Sequence, residues 1–297
     1  MKSVSGKICS ILVFLLIPLS TFAQSPQQQI VIGLIPELNV FKQMERFSPL
    51  AAYLTDKTGI KVKFTILSRY GNMVERFSKE RLDAAFFGSF TGALAIRKLG
   101  VVPLARPVNL DGESTYHAHL YTRKDSGIKS IADMKGKKIA FVDKATTAGY
   151  VFPVAYFKEH GITNIDKFFG ETFYAGSHDA SLYAVLNREA DIGASKNSVY
   201  DIIRSSDPRI DEEIVIVAES SKVPSNGLCV RKGLHPQIAN KLKEALLNLD
   251  KNPEYKSVLE KLKFIKFIPT TVDDYKPVFE MTHKAGIDLR KYDYRNE

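Results

Sequence analysis

Short apolar runs alternate along this chain with segments whose apolar positions recur at helical spacing. Residues 30–35 form a continuous apolar run that predicts a buried strand, and Pro36 ends it. Over 46–58, Leu50, Tyr53 and Leu54 fall on one helical face, and Gly59 marks the stop. Alternation at 61–66 predicts a second strand. Met73, Val74 and Phe77 give 70–79 the spacing of a short helix. A third strand is expected at 82–87, turned by Gly88-Ser89 into a helix over 90–99 that Gly100 closes, and a fourth at 101–105. The order then changes, because 116–122 reads as a strand with no helix directly after it. A short turn at 131–134 precedes a second alternating set: strand 138–142, helix 147–160, strand 172–175, helix 178–188, strand 191–194, helix 198–204 and strand 214–218. A turn at 224–227, a strand at 228–230 and helices at 236–249, 253–261 and 272–284 complete the chain.

Strands alternating with helices at this spacing predict an α/β fold of mostly parallel sheets flanked by helices. Two alternating units joined by two extended crossings predict two lobes on a two-strand hinge. Residues 24–119 with 223–297 are expected to form lobe 1, and 120–222 lobe 2. The cleft between lobes is the natural ligand site, at the carboxyl ends of the strands, and a hinge permits closure over the ligand.

Composition fits this picture: 297 residues, 44% hydrophobic and 25% charged, are ordinary for a soluble globular chain. The N-terminus stands apart. Lys2 and Lys7 precede an apolar run at 8–19, and Thr21-Phe22-Ala23 supplies the small residues of a cleavage site. That run is too short to span a bilayer of about 30 Å. Residues 1–23 therefore read as a secretory signal cleaved near Ala23, with a retained membrane anchor as the alternative, and the mature chain is expected to be exported. Cys9 leaves with the signal, so Cys229, in an apolar strand, has no internal disulfide partner and reads as a buried core residue. The net charge of +9 is spread among acidic neighbours with no basic run interleaved with aromatics, which argues against nucleic acid as a partner. A mild positive field favours an anionic ligand.

Several turns share one design, a strand followed by small or hydroxyl residues and then a helix. Ser68-Arg69-Tyr70-Gly71, Phe87-Gly88-Ser89, Thr146-Thr147-Ala148-Gly149 and Gly176-Ser177-His178-Asp179 all have it. The first N–H groups of a helix lack partners inside it and carry partial positive charge, so such turns can cradle an anion. Two threonine hydroxyls at 146 and 147 can add donors. Taken singly, each turn is equally a capped helix start. Tyr70 and Tyr116 read on periodicity as core aromatics, and Tyr150, Phe152 and Phe157 as core at helical spacing. His117 and His119 share a strand face, as metal ligands could. No Cys, Asp or Glu with metal spacing accompanies them, and they are read as structural. No nucleophile elbow, phosphate-binding Walker loop or Cys–His pattern is present, and the carboxylates Glu37, Asp143 and Asp179 are unpaired in the pattern, so an enzyme is not expected.

The chain resembles the periplasmic substrate-binding proteins of ABC transporters for phosphonate, phosphite and phosphate, type II periplasmic binding proteins. The resemblance rests on Gly33-Leu34-Ile35-Pro36-Glu37, residues 82–88, Met134-Lys135-Gly136-Lys137-Lys138, the turn at 146–149 and Gly176-Ser177-His178-Asp179-Ala180. It implies two hinged α/β lobes that capture a small phosphorus oxyanion by closing, with an inner-membrane permease as partner and no cofactor or metal. The protein is expected to be monomeric. The same fold could serve a membrane signalling partner instead, or, as a third reading, hydrolyse phosphate esters. By resemblance the oxyanion is held by Thr146, Thr147 and Ala148, by His178, and by Tyr70 and Tyr116. Uncharged donors from both lobes would then replace its water. Relatives selective for aminoalkyl phosphonates carry carboxylates where this chain has Ser198 and Asn226. Asn226 can accept a proton only through its amide oxygen. The ligand class is therefore expected without the aminoalkyl group.

Overall fold

The structure, a computed structural model, describes residues 28–37, 40–66, 70 and 72–294. The expected leader at 1–23 and the Ser68, Arg69 and Gly71 positions of one turn lie outside the described residues. Among the described residues no helix is long and apolar enough to cross a membrane.

Three sheets organise the chain. The first, six-stranded, contains β1 (Gln29–Leu34), β2 (Lys61–Ile66), β3 (Ala84–Phe87) and β4 (Val102–Asn109) from the first part of the chain. The chain then crosses through β5 (Thr115–Tyr116) into a five-stranded sheet of β6 (Ala118–Arg123), β7 (Lys138–Phe141), β8 (Glu171–Tyr174), β9 (Ile192–Lys196) and β10 (Ile214–Glu219). It returns through β11 (Val223–Pro224) to the first sheet, adding β12 (Gly227–Val230) and β13 (Phe264–Pro269). The strand orders are β13-β4-β12-β3-β1-β2 and β10-β6-β9-β7-β8. The two crossings pair with each other as the antiparallel ladder β11–β5, the two-strand connection expected from the sequence.

The burial of each strand explains its pattern. β3, β6, β9 and β12 are buried along their whole length, whereas β2, at an edge, exposes Lys61 and Lys63 while Val62 faces the core. In β3 and β12 burial on both faces goes with a continuous apolar run and at the β2 edge exposure goes with alternation, whereas β6 and β9 also bury His119, Arg123, Ser195 and Lys196. The direction of most strands is as expected, but the pairing is mixed. β1 pairs parallel with β2 and β3, and β7 with β8 and β9. The strands entered directly from a crossing, β6 and β12, run against them, and so does β13. β12 is antiparallel to both β3 and β4, β6 is antiparallel to β9 and β10, and β13 is antiparallel to β4.

Four further departures from the sequence reading have local causes. The first helix runs from Val40 to Thr58 rather than from 46, because Val40 and Phe41 are exposed and offer no apolar face to periodicity. Strand β13 was not expected, since only Phe267 of its six residues is buried. The strand read at 116–122 breaks at His117 into β5 and β6. The helix read at 147–160 opens as a π turn, Thr147–Val151, before becoming α-helical at Phe152–Glu159.

One apolar core packs the first sheet against helices Val40–Thr58, Pro236–Leu247 and Lys256–Leu262 through Phe47, Leu50, Leu54, Leu242 and Leu246. A second runs between the large sheets, joining Phe87 and Phe90 to Phe141, Val142 and Val151. The C-terminal helix Lys276–Lys284 packs on the helix Phe152–Glu159, with Lys158 Nζ donating to the Ala285 carbonyl at 2.8 Å.

Candidate functional site

The ends of β1, β3, β7, β8 and β9 converge with both crossings on a small cavity. It is lined by Ile35, Glu37, Tyr70, Gly88, Ser89, Phe90, Tyr116, Ala145, Thr146, Thr147, His178, Lys196 and Asn226. Ile35, Glu37, Lys196 and Asn226 also line a larger adjoining cleft.

Three helix starts meet here. Helix Ser89–Leu99 begins at Gly88, with Ser89 Oγ bonded to the Pro224 carbonyl at 2.6 Å and to the Tyr116 hydroxyl at 2.8 Å. This ties the helix start to both crossings. Helix His178–Leu186 is capped by Ser177, whose Oγ accepts from Ala180 N at 3.4 Å. The third start is the π turn. Its i→i+5 bonding leaves the N–H groups of residues 147–150 without partners inside the helix, one more than an α-helix would leave. Gly149 is required there, because any Cβ would collide with Val142 at the end of β7.

The two threonines differ. Thr146 Oγ1 donates to the Asp143 carbonyl at 2.6 Å, and Thr146 N to the same oxygen at 3.0 Å, so Thr146 shapes the turn and its hydroxyl proton is already used. Thr147 Oγ1 is buried beside the Tyr116 hydroxyl without a well-formed hydrogen bond, and the Tyr70 hydroxyl, which lines the same cavity, is buried with no hydrogen-bond partner. A buried polar group left unpaired costs about 1–3 kcal/mol, so both point to an occupant. Burial raises both phenols, Tyr116 to about 12 and Tyr70 well above its usual value, so each remains a protonated donor near neutrality.

His178 is neutral. Burial pushes it down to about 4, Glu37 opposing and Lys196 adding to the fall. Its Nδ1 accepts from Lys196 N at 3.3 Å, which leaves the proton on Nε2 and makes that atom a donor. The ring stands edge-on to Tyr70 at 5.8 Å.

Lys196 and Glu37 were not among the expected ligand-binding residues. Lys196 Nζ donates to Glu37 Oε1 at 2.9 Å across the space between the two large sheets, and both side chains are 8% exposed. The ammonium also lies 4.5 Å from the centre of the Tyr116 ring. Burial alone would raise the Glu37 carboxyl. Lys196, with Arg46 at 3.9 Å, outweighs it and holds the group at about 2. The site therefore contains a cation, where only uncharged donors were expected. The clue lay in the length of β9: the strand continues, fully buried, to Lys196, two residues past the predicted end.

Of the residues singled out in sequence, Tyr70, Tyr116, Thr146, Thr147, His178 and Asn226 come together on the cavity wall. Ala148 is buried in the π turn and does not line it. Ser198 lies on the wall of the adjoining cleft, near Asp111 and Asp201. No carboxylate but Glu37 reaches the small cavity among the described residues.

Known proteins place this geometry in context. Residues 32–275 match the family described as ABC transporter, phosphonate, periplasmic substrate-binding protein. The phosphonates-binding periplasmic protein of Escherichia coli is 26% identical over 250 residues, 82% of this chain and 73% of that one. The phosphate-import protein PhnD of Mycolicibacterium smegmatis is 29% identical over 237 residues, 76% of this chain and 73% of that one. Among solved structures, PhnD1 of Prochlorococcus marinus in complex with methylphosphonate superposes with a TM-score of 0.77 at 21% identity, covering 87% of this chain and 98% of that one.

Proposed function

Because the chain belongs to the family of periplasmic substrate-binding proteins of phosphonate ABC transporters, we propose that its small cavity captures a compact phosphorus oxyanion such as phosphite, methylphosphonate or phosphate. The protein is a binding component of an importer and not an enzyme. The observation that carries the ligand reading is the pair of buried hydroxyls lining one cavity, Tyr70 Oη with no partner and Thr147 Oγ1 with no well-formed hydrogen bond. In this reading they donate to the oxyanion together with His178 Nε2, Tyr116, the amide of Asn226, the N–H groups of the π turn that includes Ala148, and the Lys196 ammonium. Thr146 acts by holding the turn. Relatives of this chain are named for phosphonates and for phosphate, and one is solved with methylphosphonate.

Micromolar affinity corresponds to about 8 kcal/mol. A hydrogen bond to a charged group contributes about 1.5–3 kcal/mol net. Three or four such bonds, with helix-start electrostatics of up to about 1 kcal/mol each, reach that value. The lobes in this reading are 24–119 with 223–297, and 120–222, closing through the Glu37–Lys196 pair. The mature chain begins near residue 24, works as a monomer, and takes no nucleic acid.

Calorimetry against phosphite, methylphosphonate and phosphate tests the proposal: heat is expected from at least one, and none from all three rejects the ligand class. Aminoethylphosphonate is expected to compete poorly, because the carboxylate that reaches the small cavity, Glu37, is already paired with Lys196 and Arg46, and Asp111 and Asp201 stand outside it. A competition series that ranks it first overturns the role given to Ser198 and Asn226.

A further inference from the structure

The crossings carry a second cluster of polar side chains that the oxyanion cavity does not use. His117 sits at the break between β5 and β6, His119 is the second residue of β6, and Glu219 is the last residue of β10, directly before the return crossing. Glu219 and His119 pair in the β10–β6 ladder, so they share a face. His117 Nε2 and His119 Nε2 are 3.0 Å apart, and Glu219 Oε1 is 3.1 Å from the second and 3.8 Å from the first. Among the described residues these are the only three His, Cys, Asp or Glu side chains gathered this closely.

The spacing is that of a coordination shell. Zinc at about 2.0–2.1 Å from each of four tetrahedral ligands sets neighbouring donor atoms roughly 3.3 Å apart, and the three observed separations bracket that value. Two imidazoles and one carboxylate form a donor set suited to zinc-type ions, with a fourth position left for water. The opening faces solvent: the Glu219 side chain is 54% exposed and that of His117 28%, while His119 forms the buried floor at 6%. A further observation concerns the floor. His119 Nδ1 is buried with no partner, and the buried hydroxyl of Ser195, beside Tyr121, makes no well-formed hydrogen bond. Ser195 lies directly opposite His119 in the β6–β9 ladder. An ion on Nε2 fixes the ring proton on Nδ1, and a hydroxyl across the ladder is the kind of outer partner that orients a ligating histidine.

We propose that His117, His119 and Glu219 bind a divalent transition-metal ion of the zinc type at the root of the connection between the lobes. The ion joins the outgoing crossing, through His117, to the strand that feeds the return crossing, through Glu219. It stiffens the connection on which the lobes move. The site takes a cation and stands apart from the oxyanion cavity.

The test uses untagged mature protein stripped with chelator, with cobalt(II) as the spectroscopic probe and zinc(II) as competitor. One equivalent of cobalt is expected to give the intense visible bands of a low-coordinate site, which zinc abolishes. Zinc is also expected to raise the thermal midpoint by several degrees. Glu219→Gln and His117→Ala, both at accessible positions, are each expected to weaken zinc binding at least tenfold and leave the heat of methylphosphonate binding unchanged. Absence of cobalt bands in the unaltered protein overturns the proposal. Zinc affinity unchanged in both variants does so too, because the ion then sits elsewhere.

Discussion

Two polar clusters flank the crossings, and they are opposite in kind. Around the small cavity the side chains present hydrogens: the Tyr70 hydroxyl without a partner, the Thr147 hydroxyl without a well-formed hydrogen bond, His178 with its proton on Nε2, and the Lys196 ammonium. At His117, His119 and Glu219 two Nε2 atoms and a carboxylate oxygen face one another, sharing imidazole protons that a bound ion would displace. Both clusters contain a histidine that burial drives down to about 4, His178 in one and His119 in the other. What separates them is which ring nitrogen the neighbours occupy. A backbone N–H occupies Nδ1 of His178 and leaves a donor pointing inward, whereas His119 turns Nε2 toward a carboxylate. The same residue type thus serves an anion in one place and, in our proposal, a cation in the other. The neighbours' donor or acceptor character decides which.

The contrast is strongest at Lys196, which gives the donor cluster its charge. Lys196→Met leaves the Glu37 carboxylate buried without its main partner, and losing one member of a buried pair costs about 3–5 kcal/mol. The expected result is a large fall in the urea midpoint, most of it restored when Glu37→Gln is added. An unchanged midpoint in the single variant means that the pair does not hold the lobes together. The next effect is on pH dependence. His178 titrates near 4 when folded and near 6.5 when unfolded, so between those values the unfolded chain binds the extra proton. Stability is therefore expected to fall as pH drops from about 6.5 to about 4, by on the order of 3 kcal/mol from this group. Glu37, held near 2 against an ordinary 4.5, adds a further loss as pH falls through that lower window. Urea midpoints from pH 7 to about pH 2.5 check this, and equal slopes between pH 7 and pH 4 in the original protein and His178→Gln exclude His178 as the source. The smallest effect is the most diagnostic. Thr147→Val is expected to weaken oxyanion binding about tenfold, ~1.4 kcal/mol, with little loss of stability, because the lost hydroxyl makes no well-formed hydrogen bond in the fold. Full affinity in this variant moves the oxyanion away from the π turn.

Periodicity and turn chemistry, read from the residues alone, determined the two alternating units, the extended crossings between them and the helix-start turns at 88–89, 146–149 and 176–178. Together with the motif resemblance they led to six of the residues that now line one cavity. Such features are local: burial on both faces writes an apolar run, and a helix start favours small and hydroxyl residues. Four features were decided only by the fold. Lys196 meets Glu37 across 159 positions of chain, Glu219 arrives beside His119 from another strand, Thr146 gives its hydroxyl proton to its own turn, and β13 joins an edge with one buried residue. Charges, acceptors and donors acquire a role from the atom that faces them. When that atom comes from a distant part of the chain, no local pattern records it.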